Sequence, residues 1–165
     1  MLYHESSNQL LGHISKKNAH CKDLEKKSEV TAIFHGPHHY ISPRYYKNHP
    51  SVPTWNYAVV HVTGRSEIII DRKTIKSFLH ELTAKHELKD RNKWEMNMDD
   101  TFISNLIRSL VFFIVRVDKI EAKFKLSQNR SREDQKSVIN ELLSLNNENS
   151  IDVAQLMINN IQNKI

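Results

Sequence analysis

The segment "TWNYAVVHVTGRSEIII", residues 54–70, decides the fold because its β-branched residues predict one long strand, with a bulge or bend at Gly64. Large hydrogen-bonding side chains stand at its start. On a strand, Trp55 and Tyr57 project to one side and Asn56 to the other. Aromatic rings beside an amide suit a planar ligand or a subunit interface; the alternative is a core tryptophan next to a satisfied amide.

Four further segments have strand-like sequences, either rich in apolar and β-branched residues or alternating apolar with polar ones. The second of them is expected to end at Gly36-Pro37, a strong stop signal. The last two are expected to pair as antiparallel strands through a tight turn at Asp118-Lys119, the final one being half-buried. The four segments are residues 9–15, 29–36, 109–117 and 119–127.

Helices are predicted after the long strand. Asp71 resembles an N-cap, and apolar residues at helical spacing predict an amphipathic helix over 72–88. Residues 89–100 are polar and predict a surface loop, followed by a short helix near 100–109.

The C-terminal part is also predicted to be helical. Ser131 with Asp134 resembles a capping box, and Ser150 is the predicted cap of a last helix whose apolar residues recur every three or four positions. Antiparallel strands with helices at their connections indicate an α+β fold with a barrel-like sheet. We expect one domain over residues 1–165, with residues 131–165 as its helical extension.

Composition places the chain among globular proteins. It has 165 residues, 39% of them hydrophobic and 26% charged, with a net charge of +5. The basic residues are dispersed, and neither a basic stripe nor a helix-turn-helix pair supports direct contact with DNA. The sequence has no run of ~20 apolar residues for a membrane span, no secretory signal, and a single cysteine, so we expect a cytoplasmic protein.

Sequence motifs of common catalytic and phosphate-binding sites are absent. There is no Walker loop, GxGxxG, GxSxG, HExxH or paired CxxC, and three glycines cannot build a glycine-rich phosphate cradle. No general base stands at an identifiable site, which favours a binding role over catalysis.

Histidines cluster around the Gly36-Pro37 turn. Neutral imidazoles of His35, His38 and His39 could ligate zinc or haem iron, or hydrogen-bond to loop carbonyls. Because no cysteine pair or carboxylate stands at ligand spacing, we predict no metal site.

A second polar cluster lies between the last predicted strand and the helix after it. Gln128, Asn129, Arg130 and Ser131 are placed where free N–H groups favour an anion, although such a cluster can also be a simple helix cap. Lys16-Lys17 on a turn could likewise meet a phosphate.

Four segments resemble the PaiB family of transcriptional regulators, which are FMN-binding split-barrel proteins. "GHISKKNAH" (12–20) is similar to that family's GH-x-A-x-x-NP segment, with Ala19 where the family has proline and a replacement of the expected aromatic around Cys21. The other three segments are "FHGPHHYISPRYY" (34–46), "VPTWNYAVVHVTG" (52–64) and "FKLSQNRSREDQKSVINEL" (124–142). The resemblance covers roughly residues 10–160.

The resemblance implies a six-stranded split β-barrel that forms a homodimer, with FMN or a related planar phosphate ligand at the subunit interface. It also implies a link to the repression of sporulation and protease genes. About 40 further residues would precede the first segment, whereas Met1 lies 11 residues before Gly12 here. Carried over by motif, the candidate cofactor residues are His13, Lys16, Lys17, Asn18, Tyr40, Ser42, Trp55, Asn56, Tyr57, Gln128, Asn129, Arg130 and Ser131.

Two alternatives stay open at this point. The same barrel is used by flavin- and haem-dependent oxidoreductases, and a dimeric scaffold without a cofactor would also fit the sequence. An absorption spectrum distinguishes the three, because flavin and haem each have characteristic bands.

Overall fold

The computed structural model describes residues 1–87, 94–97 and 100–163. Within them, no helix is both long and apolar enough to cross a lipid bilayer. They form five strands, five α-helices and two short 3-10 helices at Glu5–Ser7 and Pro43–Tyr45. The strands are β1 (Leu2–His4), β2 (Gln9–Ser15), β3 (Glu29–Ile41), β4 (Thr54–Ile69) and β5 (Leu110–Lys125). The helices are α1 (Cys21–Glu25), α2 (Arg72–Glu87), α3 (Thr101–Arg108), α4 (Arg132–Ser144) and α5 (Glu148–Asn163).

The five strands make one antiparallel sheet in the order β1-β2-β5-β4-β3. β2 pairs with β5 over its whole length, from Gln9 opposite Arg116 to Ser15 opposite Leu110. The α+β class is confirmed, and β2 and β4 follow their predicted bounds to within one residue. The resemblance implies six strands, whereas the described residues form five.

The prediction that a strand ends at Gly36-Pro37 is wrong. β3 continues through both residues to Ile41. A proline cannot donate to a ladder, but β3 stands at the end of the sheet order, and an edge strand tolerates the missing donor. The glycine is needed for close approach, because a Cβ on Gly36 would lie only 3.1 Å from the Cβ of Ala58.

The predicted turn at Asp118-Lys119 is also wrong, since β5 runs unbroken through it. The strand-like segments before and after Asp118-Lys119 are compatible with one long strand. The Asp-Lys pair also lacks the glycine or asparagine that a two-residue hairpin favours. The second half of β5 is not half-buried as expected: Ile120 and Phe124 are 50% and 45% exposed.

The helices in the middle of the chain are confirmed. α2 and α3 occupy nearly the predicted ranges, and the Asp71 carboxylate accepts a hydrogen bond from the Thr74 N–H at 2.8 Å. Residues 94–97 and 100 have no regular structure, and the rest of the predicted loop over 89–100 lies outside the described residues. The turn after β2 contains the short helix α1, which was not predicted.

The last helix begins earlier than predicted. α5 starts at Glu148, and its cap is Asn147, whose side chain accepts from the Ser150 N–H at 3.0 Å. The prediction of Ser150 as the cap is therefore wrong. Its buried hydroxyl instead donates to the Asn147 carbonyl at 2.9 Å, because a serine inside the first turn can reach back to the preceding backbone.

The chain divides into two compact units. The first comprises Met1–Ala32 and Val62–Ile120, and the second comprises Ile33–His61 and Glu121–Ile165. One hydrophobic cluster in the core of the first unit comprises Leu2, Leu11, Phe78, Leu79 and Phe112. The core of the second is formed by Ile41, Tyr46, Leu126, Val138, Ile139, Leu142, Val153, Ala154 and Met157. The single-domain arrangement with residues 131–165 as an extension stays a prediction.

The start of α4 is held by a carboxylate in the second unit. Ser131 is the cap, accepting from the Asp134 N–H at 3.1 Å. The Asp134 side chain accepts from the backbone N–H groups of Lys47 and Asn48, at 2.8 and 2.9 Å. The hydrogen bond from Asn48 is the main cause that holds the pKa of Asp134 below its ordinary value, and the interaction with the Ser131 side chain also lowers this pKa.

We expect this carboxylate to stabilise the fold at neutral pH and less in acid. Its pKa is lower in the folded than in the unfolded chain, so its contribution is complete above about pH 4 and is lost as the pH falls through the folded value. Asp134→Asn should therefore be less stable than wild type at pH 7, with a smaller difference at pH 3 in urea unfolding. Glu133→Gln, which changes the exposed neighbouring acid, is the control. An Asp134→Asn difference that does not change with pH would contradict this role.

Candidate functional site

An exposed aromatic wall lies on β3 and β4 in the second unit. Trp55 is 52% exposed. Its ring centroid lies 6.1 Å from that of His38, with the planes tilted by 35°, and 6.0 Å from that of Tyr40, in an edge-on arrangement. The alternative of a core tryptophan is therefore wrong, and Trp55 presents a flat face to solvent.

The wall borders a cavity of about 370 Å³, which we name the aromatic groove. This volume lies within the range of about 300–1,000 Å³ that is typical of small-molecule sites. The residues around the groove include no lysine, arginine or carboxylate, so its polar groups are imidazoles, a phenol, the Trp55 indole N–H and the backbone. They are His35, Gly36, His38, Trp55, Tyr57, Ala58, Val59 and His61.

The histidines are arranged for hydrogen bonding. The Nδ1 atom of His38 lies 3.4 Å from the Gly36 carbonyl, and that of His39 lies 2.7 Å from the Tyr40 carbonyl. Within the described residues, no three side chains of His, Cys, Asp or Glu are placed together to hold a metal ion. His39 does not line the groove, whereas His61, which the sequence reasoning missed, does. The signal was available, because His61 follows Trp55 by six residues and so shares its face of the strand.

Asn56 lies on the opposite face of β4 and is fully buried. Its Nδ2 donates to Ser127 Oγ at 3.0 Å and to Met157 Sδ at 3.4 Å. Ser127 Oγ also lies 3.1 Å from Asn56 Oδ1. The alternative of a satisfied amide therefore holds for Asn56, whose hydrogen bonds fasten α5 and the end of β5 to β4.

The residues after β5 are mostly engaged in local structure. The Gln128 side chain accepts from the Leu126 N–H and donates to the Phe124 carbonyl, both at 2.7 Å. The Ser131 hydroxyl, already the cap of α4, also accepts from Asn48 Nδ2 at 3.1 Å. This arrangement is a helix cap, one of the two alternatives that the sequence left open.

Two side chains of that segment are turned to solvent or to an aromatic ring. The guanidinium carbon of Arg130 lies 4.5 Å from the centroid of the Tyr46 ring. Asn129 is exposed. Ser42 directly follows β3 and is buried. Its hydroxyl accepts from the Arg44 N–H at 3.3 Å, so Ser42 caps the 3-10 helix that follows β3.

The remaining candidate residues belong to the first unit. His13 on β2 packs its ring edge-on to Phe78 and tilted against Phe112, with centroids 5.9 and 5.7 Å away. Burial lowers the pKa of His13, and the positive N-terminus adds to the effect. Lys16 and Lys17 are exposed on the turn after β2.

Asn18 shapes that turn. Its side-chain oxygen accepts from the His20 N–H at 3.0 Å, and its own N–H donates to the Ser15 carbonyl at 2.9 Å. Tyr40, Ser42, Trp55, Asn56, Tyr57, Gln128, Asn129, Arg130 and Ser131 all lie in the second unit.

Comparison with known proteins gives a family match over residues 1–119, to a family described as "Putative FMN-binding domain". Among curated proteins, "Protease synthase and sporulation protein PAI 2" of Bacillus subtilis (strain 168) is 30% identical over 158 residues, covering 94% of this chain and 75% of that protein. An uncharacterised protein of Emericella nidulans is 28% identical over 165 residues, covering 81% of this chain and 66% of that protein.

A solved structure shares the fold. The "FAD and Heme binding protein from Mycobacterium smegmatis" superposes with a TM-score of 0.56 at 10% sequence identity, covering 79% of this chain. The chain spans 60% of that structure's length. At this identity the likeness shows the fold alone, and it confirms the split barrel that the resemblance implies.

We expect Asn56 and Ser127 to stabilise the fold as a coupled pair. Asn56→Ala leaves the buried Ser127 hydroxyl without its partner, which should lower the free energy of unfolding by about 1–3 kcal/mol. Urea unfolding of Asn56→Ala, Ser127→Ala and the double variant measures the coupling, expected at about 0.5–3 kcal/mol. Tyr57→Phe, on the opposite face of the strand, is the control. Additive effects of the two single variants would contradict the coupling.

Proposed function

Because the chain belongs to the family described as "Putative FMN-binding domain", we propose that it binds FMN with the isoalloxazine ring in the aromatic groove. The observation that carries the proposal is the half-exposed Trp55 face beside a cavity of about 370 Å³. When bound, the flavin supplies electron and hydride transfer, and the protein supplies binding and orientation.

The groove suits a flat heteroaromatic ring. Trp55 offers a stacking surface, since base-like rings on aromatic side chains gain about 1–3 kcal/mol each. Gly36 and Ala58 also line the groove, where β3 and β4 approach each other closely. The imidazoles of His35 and His61 line the groove and can donate or accept at the ring's polar edge.

The cofactor phosphate is proposed to meet one or both of two basic segments, across the proposed dimer. In the second unit the cation is Arg130, in a turn that Gln128 and Ser131 order through their backbone and cap hydrogen bonds. In the first unit the exposed ammonium groups are those of Lys16 and Lys17. His13, Asn18, Asn129, Tyr40 and Ser42 complete the proposed set; Asn56 is included only as the residue that orients β4.

A homodimer is proposed as the assembly that holds this site. Several large side chains in the strands of the second unit are exposed, namely Ile33, Phe34, Tyr40, Trp55 and Phe124. Exposed apolar side chains of this size are typical of interaction surfaces when they form a patch.

The role of a cytoplasmic, flavin-binding transcriptional regulator, which the resemblance to the PaiB family implies, is proposed for this chain; the name of the Bacillus subtilis relative refers to protease synthesis and sporulation. The second candidate is a flavin- or haem-dependent oxidoreductase. The observation in its favour is the set of three imidazoles around the groove, because neutral imidazole is a ligand of haem iron. A dimeric scaffold without cofactor is the third outcome.

The absorption spectrum of the purified protein, before and after incubation with FMN, tests the proposal. We expect the two flavin bands, with the flavin fluorescence quenched on binding. A Soret band would instead favour haem, and neither chromophore at saturating FMN would favour the scaffold.

The FMN affinities of variants test which residues contact the cofactor. Trp55→Ala should leave the free energy of unfolding within about 1 kcal/mol of wild type, because the ring is half-exposed, and weaken FMN binding about 10-fold. Trp94→Ala is the matched control, since Trp94 is also 52% exposed and lies in the first unit.

Arg130→Ala together with Lys16→Ala should weaken FMN binding by at least ~10-fold, with Lys26→Ala as the control. Equal affinities for wild type and all variants would remove these residues from the site.

We expect a dimer in solution at micromolar concentration, measured by light scattering. Phe124→Ser should shift the equilibrium toward monomer by removing an exposed apolar side chain, whereas Phe102→Ser, an equally drastic change on α3 in the first unit, should not. A stable monomer for the wild type would refute the proposed assembly.

A further inference from the structure

A second, unrelated groove lies between α2 and α3 in the first unit. Each helix contributes one face at the spacing i, i+3, i+4, so the two triplets line the groove from opposite sides. Its volume is about 150 Å³, and we name it the basic groove. The lining residues are Arg72, Ile75 and Lys76 from α2, and Ser104, Ile107 and Arg108 from α3.

The basic groove has an apolar floor. Ile75 and Ile107 are half-buried and pack against the core of the first unit. An apolar floor of this kind continues the core to the surface, so a bound molecule would need an apolar part to cover it.

The rim of the groove carries positive charge only. Arg72, Lys76 and Arg108 are exposed, and none of them forms an ion pair with another described residue. Arg72 and Lys76 are like charges four residues apart on one helix, an arrangement that destabilises a helix. An anion bound among the three cations that line this groove would relieve their repulsion.

The helix dipole of α2 is already matched by a charge of its own. The Asp71 carboxylate accepts from both the backbone N–H and the hydroxyl of Thr74, at 2.8 and 2.7 Å. An anion in the basic groove would therefore be held by side chains and not by the free N–H groups of a helix end.

We propose that the basic groove binds a small organic carboxylate with an aromatic or short aliphatic body. The carboxylate would lie among Arg72, Lys76 and Arg108, with the apolar body over Ile75 and Ile107. The groove has a volume of about 150 Å³, so the proposed ligand is small. A nucleic-acid backbone would use the cations but leave the apolar floor uncovered.

Titration calorimetry on the full chain with benzoate tests this proposal. We expect benzoate to bind at least ~10-fold more tightly than acetate, which lacks the apolar body, and benzylamine, which has the same ring with the opposite charge, to show no binding. Binding should weaken at high salt, because the cations are exposed. Equal binding of benzoate and benzylamine would overturn the proposal, and so would displacement of benzoate by a short DNA duplex at lower concentration than by free carboxylates.

Variants distinguish this groove from the flavin site. The triple variant Arg72→Gln, Lys76→Gln, Arg108→Gln should weaken benzoate binding at least ~10-fold, and its far-UV circular dichroism should match wild type. Lys73→Gln together with Lys85→Gln removes charge from the same helix outside the groove and should have no effect. FMN affinity should be unchanged in both variants, so the two proposals can fail separately. Unchanged benzoate affinity in the folded triple variant would refute the site.

Discussion

The buried amide of Asn56 is the constraint on which the second unit depends. Its hydrogen bonds to Ser127 and Met157 join β4 to the end of β5 and to α5 in one desolvated place. Because side chains alternate along a strand, holding Asn56 inside obliges Trp55 and Tyr57 to face the other way. A slip by one residue would bury the two aromatic rings and expose the amide. The same contact therefore builds the core and presents the wall of the aromatic groove.

Secondary structure was predictable where local signals were complete. β4 has β-branched residues along most of its length, and α2 has both a cap and apolar residues at helical spacing, so both were found. β3 was predicted too short because Gly36-Pro37 looks like a turn when considered alone, and β5 was divided at Asp118-Lys119 although that pair lacks the glycine or asparagine of a two-residue hairpin. Whether a proline interrupts a strand depends on which side its missing N–H would face, and that is settled by the order of strands in the sheet.

The candidate site shows the same division between local and long-range information. The strand period predicted that Trp55 and Asn56 face opposite sides of β4. In the structure Trp55 is half-exposed, whereas Asn56 is a buried amide with its hydrogen bonds satisfied. The cap at Ser131 was also readable from the sequence. Ala58 was not identified, because its relation to Gly36 exists only once β3 and β4 are paired, whereas the position of His61 on the face of Trp55 could have been found from the strand period. Likewise, nothing in the sequence brings Arg108 near Arg72 before α3 packs beside α2.

The pairing of β2 with β5 has a consequence for how the chain folds as it is made. Gln9 is opposite Arg116, so the partner of this early strand is synthesised about 100 residues later. At about 5–20 residues per second, a ribosome needs roughly 5–20 s to supply it. Leu10 and Leu11 are both buried in the folded protein, and during that interval they lack β5, the strand that later pairs with β2. The unpaired edge of β2 is open during those seconds to pairing with strands of other chains.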